Sequence, residues 1–122
     1  MEIQSIQSYR DLIVWQKSMD LVILVYKLTD KYPKTEIYGL TSQSRRCSVS
    51  IPSNIAEGRL RGSRKDFRQF LIIAFASGAE LETQLEIARR LKYLSDTEYH
   101  ETASLLTEVM KILNTMIKNL NS

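Results

Sequence analysis

The sequence predicts an all-α fold, and three observations point to it. Apolar residues recur at spacings of three and four along four long segments. Four glycines and two prolines are too few for the turns of an all-β protein of 122 residues. The links between the segments, about 32–37, 61–62 and 92–94, are short, so consecutive helices must run antiparallel. We therefore expect one domain, 1–122, folded as an antiparallel up-down-up-down four-helix bundle.

The first helix is expected over about 11–31, ending before Pro33, because proline disfavours helical geometry in the residue before it. Its apolar residues form two sets on opposite sides of the helix: Leu12, Trp15, Met19, Ile23 and Tyr26, against Val14, Leu21, Val25 and Leu28. A helix that is apolar on two sides is expected to be buried on both. The core of a four-helix domain covers only one of them. The second side predicts self-association.

The second helix is expected over about 38–60 and contains Pro52. Proline removes one helical hydrogen bond, so the helix either kinks and continues or breaks, with Pro52 opening a new helix. The seam of Leu40, Cys47, Ile51, Ile55 and Gly58 keeps its phase across the proline, which favours a kinked, continuous helix. Asn54, on the same seam, could fix the helix register, bond the carbonyl freed by Pro52, or reach an RNA group; a structural role is favoured.

The third and fourth helices, about 63–91 and 95–120, each begin with a capping signal. Ser63 is followed three residues later by Asp66, and Ser95 by Glu98. The second pair has the sequence of a capping box, in which each side chain satisfies a backbone N–H at the helix start.

The sequence is poor in reactive groups. Its single histidine, His100, has no glutamate three residues before it, as the metal sites of di-iron bundles require. Cys47 lies on an apolar seam and has no second cysteine to pair with. We therefore expect no catalytic residue, no metal and no cofactor.

The sequence also bears on location. A lone cysteine fits a reducing cytosol, and the first residues lack the basic and apolar regions of a signal peptide. The longest apolar run, 21–26, is far short of the roughly 20 residues that a membrane span needs. We expect a cytoplasmic protein without a membrane partner.

Positive charge is concentrated in one part of the chain. Residues 45–68 hold seven cations against two acids, a local net charge of +5, so the remainder carries −2 of the overall +3. The candidate nucleic-acid contacts are Arg45, Arg46, Arg59, Arg61, Arg64, Lys65 and Arg68. The last five flank Gly62, the turn between the second and third helices, and cations there favour an anionic partner such as phosphate. The alternative is that this charged end of the bundle only keeps the protein soluble and binds no anionic partner.

Several blocks of the chain resemble a known family. The segments RDLIVWQKSMDLVILVYKLT, SIPSNIAEG, RGSRKDF and ASGAELETQLEIARRLKYL resemble the bacterial four-helix bundle proteins named for intervening sequences of the 23S rRNA gene. They are also similar to the accessory variability determinant of diversity-generating retroelements. The resemblance implies a homopentamer and RNA or DNA binding by a basic surface. Its retroelement branch also implies a protein partner such as a reverse transcriptase. It implies no catalytic residues.

The sequence thus predicts a non-enzymatic, oligomeric bundle that binds structured RNA or DNA electrostatically through the cluster around Gly62. The alternative is a homo-oligomeric scaffold or accessory protein that has no nucleic-acid role of its own.

Overall fold

The computed structural model describes residues 8–121, and the fold in this range is all-α. Four long helices follow a short 3-10 helix at Tyr9–Asp11, and a second 3-10 helix, Lys34–Glu36, precedes the second of them. The long helices are α1 Ile13–Thr29, α2 Leu40–Leu60, α3 Arg64–Arg90 and α4 Asp96–Asn119. Each boundary falls within two residues of the range expected from sequence.

The four helices pack as the predicted bundle. Arg45 near the start of α2 reaches Thr29 at the end of α1, and Gly58 near the end of α2 lies against Phe70 early in α3. Consecutive helices are therefore antiparallel. Each helix packs on its two neighbours around a square, so α1 and α3 stand at opposite corners.

The core lies on the inner side of all four helices. Its fully buried side chains include Leu21, Val25, Ile51, Ile55, Leu71, Leu81, Leu85, Leu106, Val109 and Leu113. Of the two apolar sides of α1, the one carrying Val14 and Leu21 enters this core. The other leaves Met19, Ile23 and Tyr26 exposed in the single chain.

The predicted caps are confirmed. The Ser63 hydroxyl accepts the N–H of Asp66 at 3.1 Å. At α4, the Ser95 hydroxyl accepts the N–H of Glu98 while the Glu98 carboxylate accepts the N–H of Ser95, forming the capping box. These bonds satisfy amides that have no partner inside the helix, and they fix where α3 and α4 begin.

Pro52 lies inside α2, which continues through it as one helix rather than breaking into two. The kink expected there stays a prediction. The Asn54 amide donates to the carbonyl of Ser50 at 2.8 Å and to its hydroxyl at 2.9 Å, and that hydroxyl also bonds Ser77 on α3 at 2.8 Å. Asn54 therefore links α2 to α3 through Ser50, instead of reaching the Ser48 carbonyl that Pro52 leaves without its N–H.

Candidate nucleic-acid interface

The turn Arg61–Ser63 joins α2 to α3 at one end of the bundle. Gly62 makes the turn with φ of +86°, a left-handed conformation that glycine adopts without a steric penalty. The last turn of α4 lies beside the first turn of α3, since the Arg64 side chain reaches the carbonyl of Asn119. We call this end, formed by the turn and the adjoining ends of α2, α3 and α4, the tip.

Two arginines at the tip bind the end of α4. Arg64 Nη2 donates to the carbonyl of Asn119, and Arg68 Nε donates to the carbonyl of Ile117, both at 3.1 Å. The last carbonyls of a helix have no partner inside it and carry a partial negative charge. These guanidinium groups therefore stabilise the packing of α4 on α3, a role that the sequence did not indicate.

The remaining three cations of the tip differ in their surroundings. Arg61 forms an ion pair with Glu57 at 2.8 Å and lies over the ring of Phe70, 4.9 Å from its centroid. Arg59 is half-buried in the last turn of α2. Lys65 is exposed and forms no ion pair with any residue from 8 to 121. Lys65 thus differs from Arg61, which is exposed but paired with Glu57.

Arg45 and Arg46 lie away from the tip, near the start of α2. Arg45 Nε donates to the hydroxyl of Thr29 at 2.9 Å, and its guanidinium lies 4.6 Å from the ring centroid of Tyr26, so it is committed to the end of α1. Arg46 is exposed. It precedes Arg61 by fifteen residues on the same helix face, a separation of roughly 22 Å at 1.5 Å per residue. The structure therefore brings five of the seven candidates together.

Sequence reasoning missed one cation of the tip. Lys118 is exposed in the last turn of α4, next to Asn119, whose carbonyl binds Arg64. The signal was present in the predicted topology, because the fourth helix of an up-down-up-down bundle ends beside the start of the third.

Two side chains that could support chemistry are Cys47 and His100. Burial raises the pKa of the Cys47 thiol above its ordinary value, which disfavours the thiolate that a nucleophile needs. His100 stacks edge-on against Tyr99, with ring centroids 5.3 Å apart. Within residues 8–121, no three histidine, cysteine or acidic side chains group as metal ligands would.

None of the helices in this range is both long and apolar enough to cross a membrane.

Comparison with known proteins agrees with the fold. A model of the 23S rRNA-intervening sequence protein family matches residues 10–115. A crystal structure of a protein of unknown function from the S23 ribosomal protein family of Bacteroides thetaiotaomicron VPI-5482 superposes with a TM-score of 0.78. The two sequences are 30% identical, and the match covers 87% of this chain and 96% of that one. No curated protein matches the chain. The chain belongs to the 23S rRNA-intervening sequence protein family.

Proposed function

We propose that the protein is a non-enzymatic, oligomeric bundle that binds structured RNA or DNA electrostatically through the tip. One observation carries the proposal: cations from three helices converge at this end. They are Arg59, Arg61, Arg64, Lys65, Arg68 and Lys118. A local positive field recruits polyanions, and phosphate contacts supply most of the affinity of sequence-independent nucleic-acid binding.

The two arginines that bind α4 remain compatible with this role. A guanidinium has five N–H donors, and a single carbonyl bond leaves most of them to meet a phosphate. Arg64 is exposed as well as bonded. Holding its side chain in place before binding lowers the entropy lost on binding.

The test uses the two exposed lysines, because neither forms an ion pair or a side-chain hydrogen bond within the described chain. The variant Lys65→Gln/Lys118→Gln is compared with the wild-type chain for binding to an RNA hairpin and to a DNA duplex across a salt series. If both lysines contact phosphates, log K of the variant falls less steeply with log salt than log K of the wild-type chain. The difference in slope is roughly one unit per lysine for duplex DNA. Affinity at low salt falls too.

The matched control is Lys27→Gln/Lys34→Gln, which removes the same charge from exposed lysines at the opposite end of the bundle. We expect this control to keep the wild-type slope. An equal loss in both variants would mean that net charge, and not the tip, governs binding. A wild-type chain with no salt-dependent binding would contradict the proposal.

The oligomeric part of the proposal is supported by two exposed apolar faces. The α1 face consists of Met19, Ile23 and Tyr26, and the α3 face of Ile72 and Ile73. They lie on helices at opposite corners of the square. If the same face of two copies packed together, the other face of each copy would therefore stay exposed. Packing the α1 face of each copy on the α3 face of the next is a heterologous contact, which closes into a ring when the rotation allows. The family resemblance implies a pentamer. A pentameric ring would combine the positive charge of five tips in one assembly.

The same two faces favour the second candidate, a protein scaffold or accessory protein that does not bind nucleic acid. The salt series separates the two functions, because a scaffold assembles normally while showing no affinity for either nucleic-acid probe.

A further inference from the structure

Tyr38 is an aromatic side chain that is almost fully exposed among residues 8–121. It lies just before α2 and is 94% exposed. Each of the other tyrosines contacts a ring or a guanidinium; the pairs are Tyr9–Trp15, Tyr26–Arg45, Tyr32–Tyr93 and Tyr99–His100. Among the six tyrosines, all of them in the described range, Tyr38 alone has no such partner. A bare aromatic ring of this kind is a surface on which another flat group can stack.

The ring of Tyr38 borders a groove between the start of α2 and the second half of α3. The groove has a volume of about 340 Å³, and its lining includes Arg46 and Cys47 from α2 and Glu80 and Gln84 from α3. Gln84 Nε2 donates to the Cys47 sulfur at 3.4 Å, whereas its Oε1 is buried without a hydrogen-bond partner in the described chain. A buried acceptor left unpaired loses the hydrogen bonds that it made to water, but this oxygen is out of reach of a ligand in the groove, where the exposed acceptor is the Glu80 carboxylate.

Arg46 supplies the charge of the groove. It is exposed, and it forms no ion pair or hydrogen bond within residues 8–121. Glu80 lies on the opposite side of the groove, with its carboxylate 3.8 Å from the Cys47 sulfur. A phosphate therefore fits at Arg46 and is repelled from the α3 side, where an amino group that donates hydrogen bonds is favoured instead.

We propose that this groove takes one unpaired nucleotide of single-stranded nucleic acid. The base stacks on Tyr38 and turns its amino edge toward Glu80, while its phosphate lies at Arg46. Stacking on an aromatic side chain needs a base that is out of the duplex. The inference deepens the proposed function and rests on it: the tip binds phosphates of a structured region, and the strand follows the α2 face for roughly 22 Å to Arg46.

The first test compares the affinity of Tyr38 variants for a short single-stranded oligoadenylate, in RNA and DNA forms, and for a hairpin. Tyr38→Ala should weaken single-strand binding about tenfold, the typical effect of losing one stacked base. Tyr38→Phe should keep the wild-type affinity, and both variants should bind the hairpin stem as the wild type does. Ile37→Ala is the matched control, because Ile37 is the neighbouring exposed apolar side chain and offers no ring.

The second test uses Cys47 as a reporter inside the groove, since it is the only cysteine of the chain. Saturating oligoadenylate should slow the alkylation of Cys47 by iodoacetamide at mildly alkaline pH. This protection should vanish in Tyr38→Ala and persist in Ile37→Ala. Unchanged alkylation in the saturated wild-type chain would overturn the inference.

The outcomes separate this inference from the proposed function. If the wild-type chain binds neither hairpin nor oligoadenylate, the proposed function fails and the inference fails with it. If hairpin binding depends on Lys65 and Lys118 while Tyr38→Ala leaves oligoadenylate affinity unchanged, only the inference is overturned. The inference is also overturned if Ile37→Ala weakens binding as much as Tyr38→Ala, because the loop would then act as a general apolar contact.

Discussion

The Glu36 carboxylate joins the start of α2 to the connection between α3 and α4. Its Oε1 accepts the N–H of Leu40 at 3.0 Å, and its Oε2 accepts the hydroxyl of Tyr93 at 2.8 Å. Both hydrogen bonds favour the ionised form, the Leu40 bond most, so the pKa of Glu36 lies below the ordinary value of 4.5. A lowered pKa in the folded state means that ionised Glu36 stabilises the fold above pH 4.5.

We predict that this stabilisation disappears as the pH falls below 4.5 and through the lowered pKa of Glu36. Glu36→Gln should be less stable than the wild type at pH 7, and the difference should shrink toward zero at lower pH. The measurement is the urea midpoint of both chains between pH 7 and pH 3. Hydrogen bonds also lower the pKa values of Glu86 and Glu98, so both chains lose stability in acid. Two parallel curves would contradict the prediction.

The basic residues of the tip divide into those that hold the fold and those that do not. Arg68 is half-buried and bonds the carbonyl of Ile117, whereas Lys65 is exposed. We predict that Arg68→Ala lowers the free energy of unfolding by about 1 kcal/mol and that Lys65→Ala changes it by less than about 0.5 kcal/mol. Thermal or urea unfolding measures both. Equal losses would show that the bond to α4 does not stabilise the fold.

At the scale of elements, α2 and α3 approach so closely at Gly58 that no side chain fits between them. A Cβ added there would lie 2.6 Å from the Cβ of Phe70 and 3.2 Å from its neighbour Phe67. A Cβ atom is fixed to its backbone and cannot rotate away, so the two helices would have to separate. The close contact explains why a helix interior accepts a residue of such low helix propensity.

We predict that Gly58→Ala destabilises the protein by about 1–3 kcal/mol, although alanine is the better helix former by about 1 kcal/mol. Gly78→Ala is the control. There the added Cβ would meet the Met110 thioether, which belongs to a flexible side chain that can move. Urea midpoints should therefore fall clearly for Gly58→Ala and change much less for Gly78→Ala. The reverse order would contradict this account of the α2–α3 contact.

The elements were predictable because their signals are local. Helical periodicity identified four helices, and Ser63 and Ser95 marked two of their starts within three residues of the amides that they cap. The partners of the arginines were not predictable. Arg64 and Arg68 bond carbonyls 55 and 49 residues away, contacts that exist only once α4 has packed on α3. The sequence shows where the arginines are, whereas their hydrogen-bond partners depend on how the helices pack.

At the scale of the whole molecule, the exposed faces of α1 and α3 bear on the proposed self-association. The two helices that carry these faces stand at opposite corners of the bundle. A large apolar side chain on the surface is ordinary when it stands alone, but a set along one helix face marks an interaction site. An isologous contact through one face would give a dimer and leave the other face open. A heterologous contact covers both faces on every copy.

We predict that Ile23→Asp and Ile73→Asp each yield monomers, because each substitution places a charge in one of the two faces. Ile37→Asp, on the loop before α2, should leave the assembly intact and serves as the control. Native mass spectrometry and light scattering give the masses. The informative sample is an equal mixture of Ile23→Asp and Ile73→Asp. It retains one intact α3 face and one intact α1 face, so it should form a heterodimer and no ring. If Ile73→Asp alone still assembles, the contact joins two α1 faces, and the ring arrangement is wrong.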